Sequence, residues 1–145
     1  MTNEKINTLA TFLECEASEI GTDSWDENIL TYDDQEYLVL TDEEANEKVA
    51  EEIKQSLWAF KTDFIIQHCK NFEEMGSCEF EAAKKSLEYA QKECCEDANG
   101  LVYALIDDID EFIKDAIVAD GRGHFISHYN GWENELNDLY IYRLN

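Results

Sequence analysis

The chain has 145 residues, with 34 Asp and Glu against 11 Lys and Arg, and its formal net charge is −23. Direct binding to nucleic acid or to an anionic lipid surface is excluded by such a charge, because both would repel it. A disordered acidic tail is excluded as well, since 44% of the residues are hydrophobic and 12% are aromatic.

The first third of the chain predicts a helix followed by a hairpin. Apolar residues recur at spacings of three and four over residues 3–14, which is typical of a short amphipathic helix. Ile29–Tyr32 and Glu36–Leu40 are rich in β-branched and aromatic residues and flank a polar turn. We therefore expect two short antiparallel strands near residues 29–40.

The start of the next helix is marked by a capping box. Thr41 is followed three residues later by Glu44, and acidic residues fill the first turn, where they complement the helix dipole. The apolar stripe that follows predicts a helix over residues 42–58, with a further helical piece near residues 64–68.

The second half of the chain predicts two more helices and a strand. Apolar residues keep a helical spacing over residues 79–94 and again, most regularly, over 101–118. Leu139–Arg143 alternates as a strand that could join the hairpin. The predicted fold is a single α+β domain, residues 1–145, with about five helices packed on a small antiparallel sheet.

Two of the predicted helices carry an acidic face opposite their apolar stripe. The carboxylates on these two faces are Glu43, Glu44, Glu47, Glu51, Asp107, Asp108, Glu111 and Asp115. Residues four apart on a helix hold like charges about 5–6 Å apart, which destabilises the helix slightly. That spacing is of the same order as the spacing of phosphates along a nucleic-acid strand.

The acidic faces therefore predict a decoy, meaning a protein that occupies the nucleic-acid site of a basic protein by imitating nucleic acid. In this hypothesis the eight carboxylates bind the partner, and the attraction weakens steeply with salt. One alternative is that the acidity has no binding role and reflects a generally acidic proteome in the organism or compartment. Another is that the acidity only keeps the protein soluble, and that the chain acts through apolar contacts as a homodimer. Trp25, Trp58 and Trp132 are large side chains of the kind that anchor interfaces.

A second cluster of polar residues lies between positions 120 and 135 and offers an alternative site. Its candidate residues are Asp120, Arg122, His124, His128, Asn130 and Glu133. Such side chains beside flexible glycines can form a catalytic or ligand pocket. His124 and His128 have metal-ligand spacing only on a helix, and Gly123 argues against a helix there. No metal, cofactor or catalytic residue is predicted, although the chain could still be a small enzyme or a ligand- or metal-binding module.

Several phrases of the sequence resemble small acidic proteins encoded by bacteriophages and mobile elements. The phrases are YLVLTDEEA (Tyr37–Ala45), SLWAF (Ser56–Phe60), DGRGHF (Asp120–Phe125), YNG (Tyr129–Gly131) and YIYR (Tyr140–Arg143). That family has no established activity, so the resemblance implies no catalytic residue. It implies a bacterial, phage-related setting, in which small acidic proteins often act as DNA mimics against host defence.

The sequence also predicts a compartment and a class of partner. Five cysteines without a Cys-x-x-Cys pair are typical of reduced thiols. No stretch approaches the roughly 20 apolar residues of a membrane span. We expect a cytoplasmic protein in the bacterial host cell, with a basic nucleic-acid-binding protein as partner and no contact with membrane.

Overall fold

The structure, a computed structural model, describes residues 2–23 and 25–145. Within them lie seven α-helices of at least five residues, one shorter α-helix and five strands. The helices are α1 (Thr2–Leu13), α2 (Asp42–Gln55), α3 (Thr62–Ile66), α4 (Lys70–Glu73), α5 (Ser77–Cys94), α6 (Asn99–Leu105), α7 (Ile109–Asp120) and α8 (Arg122–Ile126). The strands are β1 (Gly21–Thr22), β2 (Ile29–Tyr32), β3 (Gln35–Leu40), β4 (Asn134–Leu136) and β5 (Leu139–Arg143). The predicted α+β class is confirmed, whereas the helices outnumber the five expected. None of the described helices is both long and apolar enough to cross a membrane.

The chain divides into two compact units. The first comprises Met1–Val49 and Asp120–Asn145, and the second comprises Ala50–Ala119. The sheet and helices α1 and α8 belong to the first unit, while α3 to α7 belong to the second. The single domain over residues 1–145 stays a prediction.

The first unit is built on an antiparallel sheet with the strand order β1-β2-β3-β5-β4. The predicted hairpin near residues 29–40 is formed by β2 and β3. The predicted C-terminal strand is β5, which pairs with β3 so that Tyr37 lies opposite Arg143. The sequence did not predict β1, which extends the sheet beyond β2, or β4, which extends it beyond β5.

Both tight hairpin turns of this sheet lack glycine. Asp33–Asp34 have φ angles of 50° and 64°, and Asn137–Asp138 have φ angles of 54° and 62°. Two consecutive positive φ values are typical of a type I′ turn, which matches the twist of the strands it joins. Asp and Asn tolerate this conformation better than other non-glycine residues. Residues 128–131 form a separate turn after α8, in which the Gly131 N–H donates to the Ser127 carbonyl.

The core of the first unit lies between α1 and one face of the sheet. Leu9 and Ala10 of α1 pack with apolar side chains of the strands, and several of these residues are completely buried. The cluster consists of Leu9, Ala10, Ile20, Leu30, Tyr37, Val39, Leu139 and Ile141. A fully buried aliphatic or aromatic side chain stabilises the fold by about 1.5–3 kcal/mol.

In the second unit a distant asparagine ends the α2 helix. The sequence predicted a helix to residue 58, but α2 ends at Gln55 and a 3-10 turn, Leu57–Ala59, follows. The Asn99 side-chain amide donates to the Gln55 carbonyl at 2.5 Å and accepts from the Trp58 N–H at 2.9 Å. These two bonds satisfy main-chain groups that the helix end leaves open.

The helix predicted over residues 101–118 is two helices. Helix α6 ends at Leu105, Ile106 is extended, and α7 begins at Ile109. The Asp108 carboxylate accepts from the N–H groups of Asp110 and Glu111 at 3.1 and 3.3 Å, as an N-cap does. The apolar stripe continues across the break, so periodicity alone did not reveal it.

Substituting Gly123 in α8 tests the close packing of the first unit. A Cβ at Gly123 would lie 2.8 Å from the carbonyl carbon of Trp132, 2.9 Å from the Glu133 nitrogen, and closer still to the Gly131 carbonyl oxygen. Overpacking of this kind destabilises by about 1–3 kcal/mol, so Gly123→Ala should lower the melting temperature by several degrees in a circular dichroism melt. The matched control is Gly100→Ala in α6, where a Cβ meets no atom within 4 Å and should stabilise by up to about 1 kcal/mol. Equal melting of Gly123→Ala and the wild type would contradict the packing.

Candidate functional site

The acidic face of α2 presents three of its four predicted carboxylates to solvent. Glu43, Glu47 and Glu51 are exposed, and Glu51 accepts a long hydrogen bond of 3.4 Å from the Gln55 amide. Successive members are four residues apart on a regular helix, so they form one row. This row matches the acidic face that the sequence predicted.

Glu44, the fourth carboxylate of α2, is already bound within the first unit. Its Oε1 accepts from the buried Lys5 ammonium at 2.8 Å and from the Thr41 N–H at 2.9 Å. Its Oε2 accepts from the Asn28 amide at 3.3 Å. The Glu44 N–H donates to the Thr41 hydroxyl in return, which confirms the predicted capping box. Glu44 therefore has a structural role, and its contact with a partner stays a prediction.

The pKa of Glu44 reflects these contacts. Burial disfavours its charged form, but the hydrogen bonds from Lys5 and Thr41 and the charge of Lys5 outweigh that effect. The pKa of Glu44 is therefore held below its ordinary value of 4.5. The side chain of Lys5 is only 4% exposed, so Glu44 is the carboxylate that makes its burial tolerable.

We expect Glu44→Gln to destabilise the protein in a pH-dependent way. A lowered folded pKa adds stability above the unfolded pKa, and this stability is lost as the pH falls through the folded pKa. At pH 7 the variant should lose about 1–3 kcal/mol, because Lys5 keeps only a neutral partner. Urea unfolding should show that the difference in unfolding free energy between Glu44→Gln and the wild type is smaller near pH 3.5 than at pH 7. Glu43→Gln is the matched control, since Glu43 is exposed. If the difference for Glu44→Gln is the same at both pH values, the assignment is contradicted.

The four predicted carboxylates of residues 107–115 lie together in the second unit. Asp107, Asp108, Glu111 and Asp115 line an open depression of about 560 Å³. The other side chains that line this depression are those of Gln67, His68, Lys70 and Glu73. The structure thus groups these four carboxylates, although two lie before α7 and two within it.

Three of these carboxylates also hold local structure. Asp107 accepts from the Lys70 N–H at 2.6 Å, at the start of α4, and Asp108 caps α7. Asp115 lies 3.2 Å from the His68 Nε2, and the His68 ring packs edge-on against Phe112. Glu111 is exposed and has no side-chain hydrogen bond within the described residues. Among residues 2–23 and 25–145, no group of three or more His, Cys, Asp or Glu side chains is arranged to hold a metal ion.

The alternative site near residues 120–135 is organised by Arg122 of α8. Its Nε and Nη2 donate to the two carboxylate oxygens of Glu133 at 2.9 and 3.1 Å. Its Nη1 donates to the Asp42 carboxylate at 2.8 Å and to the Asn46 side chain at 2.9 Å. The Arg122 side chain is only 11% exposed. A bidentate pair of this kind fixes both position and orientation.

The same cluster reaches the sheet through two tyrosines of β5. The Arg122 guanidinium lies 4.6 Å from the centre of the Tyr140 ring, and the buried Tyr142 hydroxyl donates to Glu133. Hydrogen bonds to Glu133 and Asp42 outweigh burial and raise the pKa of Arg122 above its ordinary value. Burial, followed by the bond to Glu133, raises the pKa of Tyr142. Both groups therefore keep their protons at any physiological pH.

The remaining candidates of this loop are not drawn into the Arg122 cluster. Asp120 is the exposed last residue of α7, and His124 and His128 are exposed. No hydrogen bond or ion pair in the described part of the chain joins either histidine to Arg122 or Glu133. Gly123 does lie in a helix, contrary to our expectation, but α8 ends at Ile126 and does not include His128, so the two histidines do not share a helix.

Asn130 holds the turn that follows α8. Its side-chain oxygen accepts from the Ser127 hydroxyl and from the Trp132 N–H, both at 3.0 Å. The buried Ser127 hydroxyl also lies 2.6 Å from the Arg143 carbonyl, and since it carries one proton it donates to only one of these two oxygens at a time. Asn130 thus stabilises the turn through its acceptor oxygen.

We expect Arg122→Met to destabilise the first unit strongly. The substitution leaves Glu133 and Asp42 without their cation, and because these carboxylates are 28% and 62% exposed, the loss of the charged hydrogen bonds should cost about 1.5–3 kcal/mol. His124→Ala in the same helix is the matched control and should stay within about 0.5 kcal/mol of the wild type. Urea unfolding of the two variants measures the difference. If Arg122→Met unfolds like the wild type, the cluster does not support the fold.

Sequence reasoning missed the buried lysine that anchors Glu44. Lys5 is 3% exposed and also donates to the Asn28 side chain at 2.5 Å. One signal was present, because Lys5 precedes Leu9 by four residues and so lies on the buried stripe of α1. The asparagine that accepts from it is 23 residues away, and no local pattern pairs the two.

The five cysteines are free thiols in different surroundings. Cys69 is buried, Cys15 is half-buried, and Cys78, Cys94 and Cys95 are exposed. Burial, with a smaller contribution from the charge of Asp107, raises the pKa of Cys69 to about 11. A thiol with such a pKa is protonated at neutral pH and unreactive. Cys69 is therefore structural.

Comparison of this chain with protein-family models, with curated proteins and with solved structures found no match. The resemblance to acidic proteins of phages and mobile elements therefore stays a prediction. No known active site can be transferred to these residues.

Proposed function

We propose that the protein is a non-enzymatic acidic decoy of the phage accessory type. It acts in the bacterial cytoplasm by occupying the nucleic-acid site of a basic protein, such as a host defence factor. The contacts are made by the exposed carboxylates of the two predicted acidic faces. The rate of association is raised by electrostatic steering, and the affinity falls as salt is added.

The observation that carries this proposal is that several of the few basic side chains are bound to groups within the protein. Lys5 and Arg122 are 4% and 11% exposed at the side chain, and both are bound to internal carboxylates. Lys84 pairs with Asp63 at 2.9 Å, and the Arg143 guanidinium stacks over Tyr129 at 3.6 Å. With 11 cations against 34 acidic residues, most carboxylates have no cation to pair with. Six lysines stay exposed, but the exposed carboxylates outnumber them, so a basic partner meets a surface with a large excess of negative charge.

The row of exposed carboxylates on α2 supports imitation of a nucleic-acid strand. Glu43, Glu47 and Glu51 follow one another at four-residue steps, with neighbouring side-chain bases about 5–6 Å apart. Each strand of a duplex carries one charge per about 3.4 Å of its axis, so the two charge densities are of the same order. A second row of this kind could come from a second copy of the chain, so a homodimer is compatible with the proposal.

The proposal competes with an enzyme or ligand module at the loop of residues 120–135. Arg122 and Glu133 are the loop side chains best suited to bind a substrate, and they bind each other in both available positions. A small anion would have to displace that bidentate pair, which makes the loop the less favoured site.

The test is a pull-down from bacterial lysate at about 50 and 200 mM salt. For six to ten phosphate-like contacts, recovery of a nucleic-acid-binding protein should fall by orders of magnitude between these concentrations. The bound partner should also be released by added duplex DNA or RNA. Recovery of partners without nucleic-acid-binding activity, or recovery that does not change with salt, would contradict the proposal.

A charge-reversal variant identifies the surface that binds. Glu43, Glu47, Glu51 and Glu111 are changed to Lys together, which leaves out the structural Glu44 and the capping aspartates. Recovery of the partner should be lost while the circular dichroism spectrum stays helical. The matched control reverses four exposed glutamates of α5, namely Glu79, Glu81, Glu88 and Glu93. Equal loss in both variants would show that net charge alone, and not the predicted faces, governs binding.

A further inference from the structure

One end of the sheet in the first unit holds a small aromatic cup. Its volume is about 200 Å³, and it is lined by Phe12 of α1, by Asn130 and Trp132, and by residues of three neighbouring strands. The strand residues in the lining are Tyr37, Asn134, Ile141 and Arg143. Tyr37 lies opposite Arg143, and Asn134 lies opposite Ile141, so these four share one face of the sheet.

The rim of this cup exposes large aromatic surface in an otherwise acidic protein. Trp132 is 67% exposed, Tyr129 beside it is 54% exposed, and Phe12 is 38% exposed. Within the described residues, Arg143 has no carboxylate side chain within 4.0 Å, although acidic residues are abundant. Its Nε donates to the Asn145 main-chain oxygen at 2.7 Å, while its plane covers Tyr129. Trp, Tyr and Arg are the residue types that dominate binding energy at interfaces.

An open strand edge borders the cup. Asn134 lines the cup and begins β4, the last strand of the sheet. In the part of the chain that the structure describes, β4 pairs with β5 on one side and with no strand on the other. Such an edge can accept an extended segment as an additional strand.

The edge also specifies the chemistry of that segment. Glu135 pairs with Tyr140 and projects to the sheet face opposite the cup, because alternate residues of a strand face opposite sides. An added strand would therefore place the residue opposite Asn134 over the cup and its two neighbours on the other face, one of them directly opposite Glu135. An apolar side chain fits the cup, and Lys or Arg complements Glu135. A second copy of this chain fits poorly, because it would bring its own Glu135 and its own net charge of −23.

We propose that the cup and the β4 edge together bind an extended segment of another protein in which apolar and basic residues alternate. The segment adds to β4 by main-chain hydrogen bonds and inserts one apolar side chain between Phe12 and Trp132. This inference does not rest on the acidic helix faces, whose carboxylates do not line the cup.

The probe is the fluorescently labelled peptide Lys-Val-Lys-Phe-Lys-Val-Lys, capped at both ends, with binding followed by anisotropy. The control peptide Lys-Lys-Val-Phe-Val-Lys-Lys has the same composition and charge but no alternation. We expect the wild type to bind the alternating peptide about tenfold more tightly, which corresponds to 1.4 kcal/mol. Equal affinities would overturn the proposal, because the net charge alone would then explain the binding.

Variants of the cup and of the edge complete the test. Trp132→Ala should reduce the alternating peptide to the affinity of the control, and Glu135→Gln should weaken it about two- to fivefold. If Trp132→Ala melts at a lower temperature than the wild type, Phe12→Ala, which also changes the lining of the cup, is measured in its place. The reversal of Glu43, Glu47, Glu51 and Glu111 should weaken both peptides equally and keep their ratio. The proposal would be overturned if both cup variants kept the wild-type ratio of affinities for the alternating and control peptides. A dimer formed through β4, detected by sedimentation, would overturn it as well.

Discussion

A cation that is removed from water needs a partner for nearly every N–H it carries, and Arg122 has such partners in three segments of the first unit. It joins the start of α2 through Asp42 and Asn46, the segment before β4 through Glu133, and β5 through Tyr140. The most distant of these partners in the chain, Asp42, is 80 residues from Arg122. Arg122 therefore links the start of α2 and the segment before β4 to β5, and Gly123 allows the close approach of α8 to residues 131–133.

The parts of the fold that a sequence can predict are those decided by neighbours within one turn of chain. The capping box of Thr41 and Glu44 and the hairpin of β2 and β3 are such local features, and both are confirmed. The end of α2 at Gln55 is decided by Asn99, which lies 44 residues further on. The break before α7 is local, but an Asp at position 108 fits either an exposed site within one continuous helix or the N-cap of a new helix. The apolar period does not distinguish the two possibilities.

The candidate site shows the same division. Periodicity correctly placed Glu43, Glu47 and Glu51 on one solvent-facing row. It could not separate them from Glu44, because the difference is made by the ammonium of Lys5, 39 residues away. The grouping of Asp107 with His68 and Lys70 likewise requires α4 and α7 to be adjacent. An acidic pattern thus predicts that a charged surface exists, while tertiary contacts decide which of its members serve the fold.

The cysteines of the second unit differ in solvent exposure, so local opening of this unit can be measured with its own thiols. Cys69 is 2% exposed, and its thiol is protonated at neutral pH, whereas Cys78, Cys94 and Cys95 face solvent. A thiol reagent will label the three exposed cysteines at once and will reach Cys69 only when its surroundings open. The rate of that slow modification, followed by mass spectrometry, gives the free energy of opening around α3 and α4 without any inserted probe. A ligand that binds the closed form slows the same reaction in proportion to its occupancy.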